Sequence, residues 1–302
     1  MHGVPNAKPQ VPPGLVVIDK PDGMTSHDVV AKVRRIMGTR KVGHAGTLDP
    51  MATGVLVLGI ERATKLLGHL SLDTKAYLAT IRLGSATTTD DAQGDVLSTV
   101  DPERLAEVTD EAIAAGLRVL TGSIQQVPSA VSAVKVDGKR AYARVRAGED
   151  VQLAARPVEV SRMDLLASRR DAAWIDLDVM VECSSGTYVR ALARDLGADL
   201  GVGGHLNALR RTRVGPFDLR VVTTLKKLTA APELSLSLDD AVVAAFPRRE
   251  VNARLAAALL RGQRLPLAGI TGTYGVFDPD GHAIALAVDD GETARSVVVL
   301  RV

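Results

Sequence analysis

Gly43-His44-Ala45-Gly46-Thr47-Leu48-Asp49-Pro50-Met51-Ala52-Thr53-Gly54 runs straight into Val55-Leu56-Val57-Leu58-Gly59. The second part is a short apolar run closed by glycine, which reads as a buried strand. The first part reads as a loop. Its three glycines let the backbone approach another group closely. Pro50 fixes its own φ and biases Asp49 towards an extended conformation. A bare Asp-Pro is ordinarily a turn closed by an Asx hydrogen bond. The length of this loop, and the basic segments around it in sequence, set it apart. Asp49 is its one carboxylate and the first candidate for chemistry.

Upstream, GLVVID at 14–19 reads as a buried strand, and Lys20-Pro21-Asp22-Gly23 punctuates it. Ser26 is read as the cap of a helix over 26–37, with Val29, Val30, Val33, Ile36 and Met37 at helical spacing and Gly38 as its stop. Residues 1–13 are Pro-rich and read as a flexible tail. Downstream, a short helix is expected over 61–70 and a strand over 75–83 with Tyr77, Ala79, Ile81 and Leu83 on one side. The stretch 85–94 reads as a surface loop and 109–120 as a helix. Residues 123–156 are basic and lack a clean period, so they read as a binding arm. Strands follow at 157–166 and 173–183, then a helix at 187–200. The stretch 229–247 reads as a connection to a small β-rich module at 246–302, which has one helix (252–261), three strands and a strong turn at Asp278-Pro279-Asp280-Gly281. The main domain is expected to span 14–245.

The chain has 302 residues, 46% hydrophobic and 24% charged, with a net charge of +2. That balance excludes a mostly disordered chain and is ample for a buried core. Cys183 is the single cysteine, so an intrachain disulfide framework is excluded, and a lone thiol fits the reducing cytoplasm. No apolar run approaches the ~18 residues of a membrane helix. Gly38 and Gly43 have the P-loop spacing, but His44-Ala45 follows in place of Lys-Ser/Thr. The six histidines show no metal-binding spacing, and no GxSxG elbow is present. Neither a metal nor another cofactor is expected.

The basic residues are segregated. Lys32, Arg34, Arg35, Arg40 and Lys41 form one group. Arg118, Lys135, Lys139, Arg140, Arg144 and Arg146 form a second, and Arg210, Arg211, Arg213, Arg220, Lys226 and Lys227 a third. Such segments are either solvated surfaces or parts of a polyanion-binding face.

Several stretches together resemble the TruB family of tRNA pseudouridine synthases. GHAGTLDPMATG resembles its catalytic aspartate loop, and Val17-Ile18-Asp19-Lys20-Pro21 with Gly23-Met24-Thr25-Ser26 its Lys-Pro motif. Lys75-Ala76-Tyr77 with Leu83-Gly84 resembles its tyrosine strand, and Ser185-Gly186-Thr187-Tyr188-Val189-Arg190 its arginine motif. His205-Leu206 with Leu209-Arg210-Arg211-Thr212 resembles its leucine motif. Gln125-Gln126-Val127-Pro128 and Ser132-Ala133 fit its basic arm, with Val127 where the family often has proline. The match runs in order over roughly residues 15–217, and co-linear motifs are far more specific than any one alone.

The resemblance implies an α+β enzyme: a mixed, mainly antiparallel sheet flanked by helices, with a small PUA-like C-terminal domain. It implies a stand-alone isomerase that converts uridine 55 in the T-loop of tRNA to pseudouridine without a cofactor. Nothing in the sequence suggests an obligate oligomer, so a monomer is expected. Asp49 would be the nucleophile, Arg190 would keep Asp49 ionised and hold it bidentately, and Tyr77 would stack on the uracil. A phenol with a pKa of about 10 is a poor base at neutral pH, so stacking is the favoured role. Lys20 would support the loop or a phosphate, Tyr188 would line the pocket, and Leu209 would wall it from water. The target nucleotide must flip out, and His44 would fill the space it leaves. Arg34, Arg35, Lys41, Lys135, Arg140, Arg144, Arg210 and Arg211 would contact RNA phosphates. Two other readings of the same basic face are a non-catalytic RNA-folding protein and a synthase acting on other RNA stem-loops.

Overall fold

β1 (Gly14–Lys20) is buried along both faces, which is why its sequence is a continuous apolar run rather than an alternation. The computed structural model describes residues 11–71, 74–129, 135–136, 139–140 and 153–301, with 135–136 and 139–140 described by their backbone alone. The chain divides into two compact units.

The first unit comprises residues 1–50, 54–71 and 214–302. β1 pairs antiparallel with β3 (Thr53–Ile60), from Gly14↔Ile60 to Lys20↔Gly54. β2 (Val42–Ala45) lies antiparallel on β3, with His44 opposite Leu58. α1 (Ser26–Met37) starts at a capping box in which Thr25 and Asp28 bond each other's backbone. Thr25, not Ser26, is therefore the cap. Gly38 closes the helix in the left-handed region at φ 66°.

The stretch 229–247 is more than a connection. It contains β9 (Leu236–Ser237), which pairs with β1, and α4 (Leu238–Ala245), which buries Leu238, Ala241 and Val242. The following residues build a five-stranded sheet. It contains β10 (Arg248–Glu250), β11 (Leu265–Pro266), β12 (Thr273–Phe277), β13 (Ala283–Asp290) and β14 (Thr293–Val299), in the order β10-β12-β13-β14-β11. One face of this sheet (Phe277, Ala283, Leu286) shares a core with Leu15, Val17, Val55 and Val57. The other face (Tyr274, Val276, Ile284) is covered by α5 (Ala253–Leu260).

The second unit comprises residues 51–53 and 72–213. Its strands β4 (Lys75–Leu83), β5 (Gly122–Gln126), β6 (Arg156–Arg170), β7 (Ile175–Cys183) and β8 (Gly204–Val214) lie in the order β8-β4-β7-β6-β5. α2 (Asp110–Val119) and α3 (Val189–Asp199) belong to the same unit. β4 buries Tyr77, Ala79, Ile81 and Leu83, as its alternation predicts. On its other face Thr80 and Arg82 bond directly across to Asp178 and Asp176, each at 2.7 Å. The expected arm is shorter than 123–156 at both roots. β5 and the start of β6 pair there, with Gln126 opposite Arg156. β8 was not legible as a strand, because His205 and Arg211 occupy inward positions and mask the alternation.

Asp239, in the first turn of α4, fastens the five-stranded sheet to that helix. It accepts from Arg301 at 2.6 and 2.8 Å, from the Ala283 amide at 2.8 Å and from His282 at 3.1 Å. Burial opposes its charge, but these donors outweigh burial and hold its carboxyl below the usual carboxylate range. A depressed folded-state pKa gives stability that is complete above the unfolded value of about 3.9 and is lost as pH falls through the folded one. Wild-type protein should therefore resist urea better than Asp239→Asn at pH 7, with the difference shrinking below about pH 4. A difference independent of pH would remove the charge from this account.

Candidate active site

Asp49 lies in the loop that joins β2 to β3, and the residues on each side of it are tied down. Ser26, fully buried, donates its hydroxyl to the Leu48 carbonyl and accepts from the Leu48 amide at 2.9 Å. The Pro50 carbonyl accepts from the Gly23 amide and from the Lys20 ammonium, each at 3.0 Å. The same ammonium donates to Pro21 at 2.9 Å and Met24 at 2.6 Å. Asp49 itself is half-buried. The glycine spacing is used: Gly46 and Gly54 adopt φ of 81° and 98°, a region that disfavours side chains. His44 is half-buried and meets His27 edge-on, with ring centroids 5.4 Å apart.

Lys20, expected to support the loop or a phosphate, is 0% exposed and donates from its ammonium to three carbonyls, one of them in the aspartate loop. Thr25 and Ser26 divide the labour of the Lys-Pro motif between them, one starting α1 and the other gripping the loop.

The second unit holds the tyrosines, Arg190 and Leu209. Tyr77 and Leu209 are buried, on β4 and β8. Tyr188 is half-buried and is the N-cap of α3, which places Arg190 in the first turn of that helix. A helix start disfavours a cation, and here local acceptors compensate. Arg190 is 4% exposed, donates to the Thr89 carbonyl at 2.7 Å and to Ser129 Oγ at 3.3 Å, and lies 3.6 Å from the equally buried Asp91. Asp91 is braced by Thr89 Oγ1 at 2.5 Å and by the Gln93 amide at 3.0 Å. One turn along α3, Arg194 reaches Asp90 at 3.3 Å, and Asp90 adopts a left-handed φ of 58°. The stretch 85–94 is thus a packed clamp on α3, not the free surface loop its composition suggested. Thr-Thr-Asp-Asp carries no periodic signal that would have revealed this.

The expected phosphate contacts divide. Arg34 and Arg35 are exposed in the last turn of α1, and Arg34 also donates to the Val42 carbonyl at 2.9 Å. Lys41 is exposed and 3.3 Å from Glu61. Arg210 is half-buried and donates to Thr53 Oγ1 at 3.3 Å. Arg211 is 1% exposed, so it belongs to the interior and not to an RNA-facing surface. Lys135 and Arg140 are paired positions of a short hairpin, and Arg144 lies outside the described residues. Among the described residues no three His, Cys, Asp or Glu side chains converge to hold a metal ion, and no helix is long and apolar enough to cross a membrane.

Lys20→Met keeps the length of the side chain but removes the donor shared by three carbonyls. The variant is expected to lose about 2 kcal/mol of stability in urea unfolding, because hydrogen bonds from a charged donor contribute about 1.5–3 kcal/mol. Unchanged stability would show that the ammonium does not hold the loop.

Three family models tile most of the chain. Residues 34–189 match the N-terminal domain of the TruB family pseudouridylate synthases. Residues 190–244 match a tRNA pseudouridylate synthase B C-terminal domain, and 246–301 the C-terminal domain of tRNA pseudouridine synthase II. The tRNA pseudouridine synthase B of Nocardia farcinica is 64% identical over 95% of this chain and 93% of its own length. That of Rhodococcus jostii is 61% identical over 95% and 94%. In a Cbf5-Nop10-Gar1 complex, one chain superposes with a TM-score of 0.71 at 26% identity, covering 95% of this chain and 84% of that one. A glycine-punctuated aspartate loop, a buried tyrosine strand and an arginine-bearing helix start thus occur in a chain that these models cover almost throughout. The chain belongs to the TruB family of pseudouridylate synthases.

Proposed function

We propose that this pseudouridine synthase acts on tRNA and isomerises uridine 55 of the T-loop. The reaction breaks the N1–C1′ bond, turns the uracil and joins C5 to C1′; C5 loses its proton and N1 carries one. Atoms and electrons balance within the substrate, so the reading needs neither a cofactor nor a metal.

The observation that carries this reading is the restraint on the aspartate loop. Leu48 and Pro50 are each fixed by buried side chains, so a carboxylate on a loop is held as if it stood on a rigid element. Asp49 is the nucleophile. Tyr77 stacks on the uracil, Tyr188 and Leu209 line the apolar surroundings of the base, and His44 takes the place of the flipped nucleotide. Arg190, with its guanidinium fixed by Thr89, Ser129 and Asp91, supplies positive charge in a set direction. Arg34, Arg35, Lys41 and Arg210, with Lys135, Arg140 and Arg144 of the arm, contact phosphates, so the shape of the RNA selects the substrate more than base edges do. The enzyme works as a monomer in the cytoplasm.

The test uses an unmodified tRNA transcript with EDTA present, and pseudouridine mapped by carbodiimide-adduct primer extension. Wild-type protein is expected to give a single new stop reporting position 55. Asp49→Asn is expected to bind the transcript and give none. A stop elsewhere overturns the site, and product from Asp49→Asn overturns the nucleophile. Binding without product from the wild type favours an RNA-folding role.

A further inference from the structure

We propose that Gln126 is a positioning residue for the reaction: through the backbone of Tyr188 it sets the helix start that carries Arg190. The inference rests on the role given to Arg190 above.

Gln126 ends β5 and is 1% exposed, an unusual place for an amide. Both ends of that amide bond the same residue. Its Nε2 donates to the Tyr188 carbonyl at 3.1 Å, and the Tyr188 amide donates to its Oε1 at 2.8 Å. This is the exchange that two opposed strand residues make, performed by a side chain across 62 positions of sequence. Tyr188 makes no side-chain cap bond, and this pair fixes the backbone at the start of α3 from outside the helix. The Tyr188 carbonyl also accepts from the Ala191 and Leu192 amides at 3.0 and 3.3 Å, which transmits its position into the helix.

The next residues reinforce the same contact. The Val127 carbonyl accepts from Arg194 at 2.8 Å, and Ser129 Oγ accepts from Arg190 at 3.3 Å. Residues 126, 127 and 129 therefore hold α3 at its cap, at Arg190 and one turn further on. An aliphatic side chain would fill the space of Gln126 equally well. The amide adds a fixed direction, because both of its hydrogen bonds weaken if Tyr188 rotates. Any such rotation carries Arg190 and the Tyr188 ring with it, and small misplacements of reacting groups cost rate steeply.

Gln126→Glu preserves shape and the bond from the Tyr188 amide, but sets an acceptor against the Tyr188 carbonyl. Gln126→Met removes both bonds without adding charge. Each is compared with wild type and Arg190→Lys in three measurements on the full chain. These are the single-turnover rate of pseudouridine formation at saturating enzyme, tRNA affinity by filter binding, and the thermal unfolding midpoint. Gln126→Glu is expected to react about 10- to 100-fold more slowly with tRNA affinity near wild type, and to unfold at a lower midpoint because it buries a carboxylate against a carbonyl. A wild-type rate for Gln126→Glu beside a slow Arg190→Lys overturns the proposal and leaves Arg190 in place. A wild-type rate for Arg190→Lys instead overturns the role of Arg190 itself. Weakened binding with an unchanged rate at saturation assigns Gln126 to the arm and also overturns the proposal. If Gln126→Glu does not fold, Gln126→Met decides by the same criteria.

Discussion

The ammonium of Lys20 is sealed from water and donates to three carbonyls, two of them beside it in the chain and the third next to Asp49. Burying a cation is costly unless acceptors replace the lost water, and the carbonyls of a turn and a loop supply them. Because Lys20 ends β1, which is buried and paired along its length with β3, the loop takes its position from a strand of the first unit's core. Ser26 repeats the arrangement from α1, whose start is fixed by the box of Thr25 and Asp28. The Leu48 amide and carbonyl and the Pro50 carbonyl, on either side of Asp49, are thus satisfied without belonging to regular secondary structure.

The second unit applies the same principle to a second buried cation. There the buried group to be held is the cation Arg190, and the loop containing Thr89 and Asp91 is held in return. Interior ion pairs add little net stability over apolar packing, but removing one partner is costly. Such a pair therefore fixes geometry more than it strengthens the fold. The hydroxyls of Thr87 and Thr89, donating to the Asp91 carbonyl and carboxylate, hold the loop in one form.

Elements with a clean period were legible. α1 begins at Ser26 and ends at Met37, as the apolar spacing and Gly38 indicate, and β4 matches its expected range of 75–83. The strand after the aspartate loop was legible from its apolar run; it extends over Thr53–Ile60, with Gly54 paired to Lys20 of β1 and Ile60 to Gly14 of β1 and Val42 of β2. What failed was polar residues in interior places. Arg211, His205 and Gln126 are buried within strands, yet in a sequence they look like surface residues. The site divides in the same way. Asp49, Tyr77 and Arg190 stand in short motifs with a distinctive order. Asp91, Ser129 and Gln126 act on residues 61 to 99 positions away, and no local pattern encodes that proximity.

The core that joins Leu15 and Val17 to Leu286 and Leu300 has a bearing on synthesis. Residues 72–213 make a continuous stretch with its own strand order, so that unit can close as soon as it has left the ribosome. The first unit cannot, since β1 waits for strands made more than 250 residues later. Until then its apolar strands depend on whatever shields a nascent chain. The arginine helix and its clamp can therefore mature before the first unit completes its core with Leu286 and Leu300.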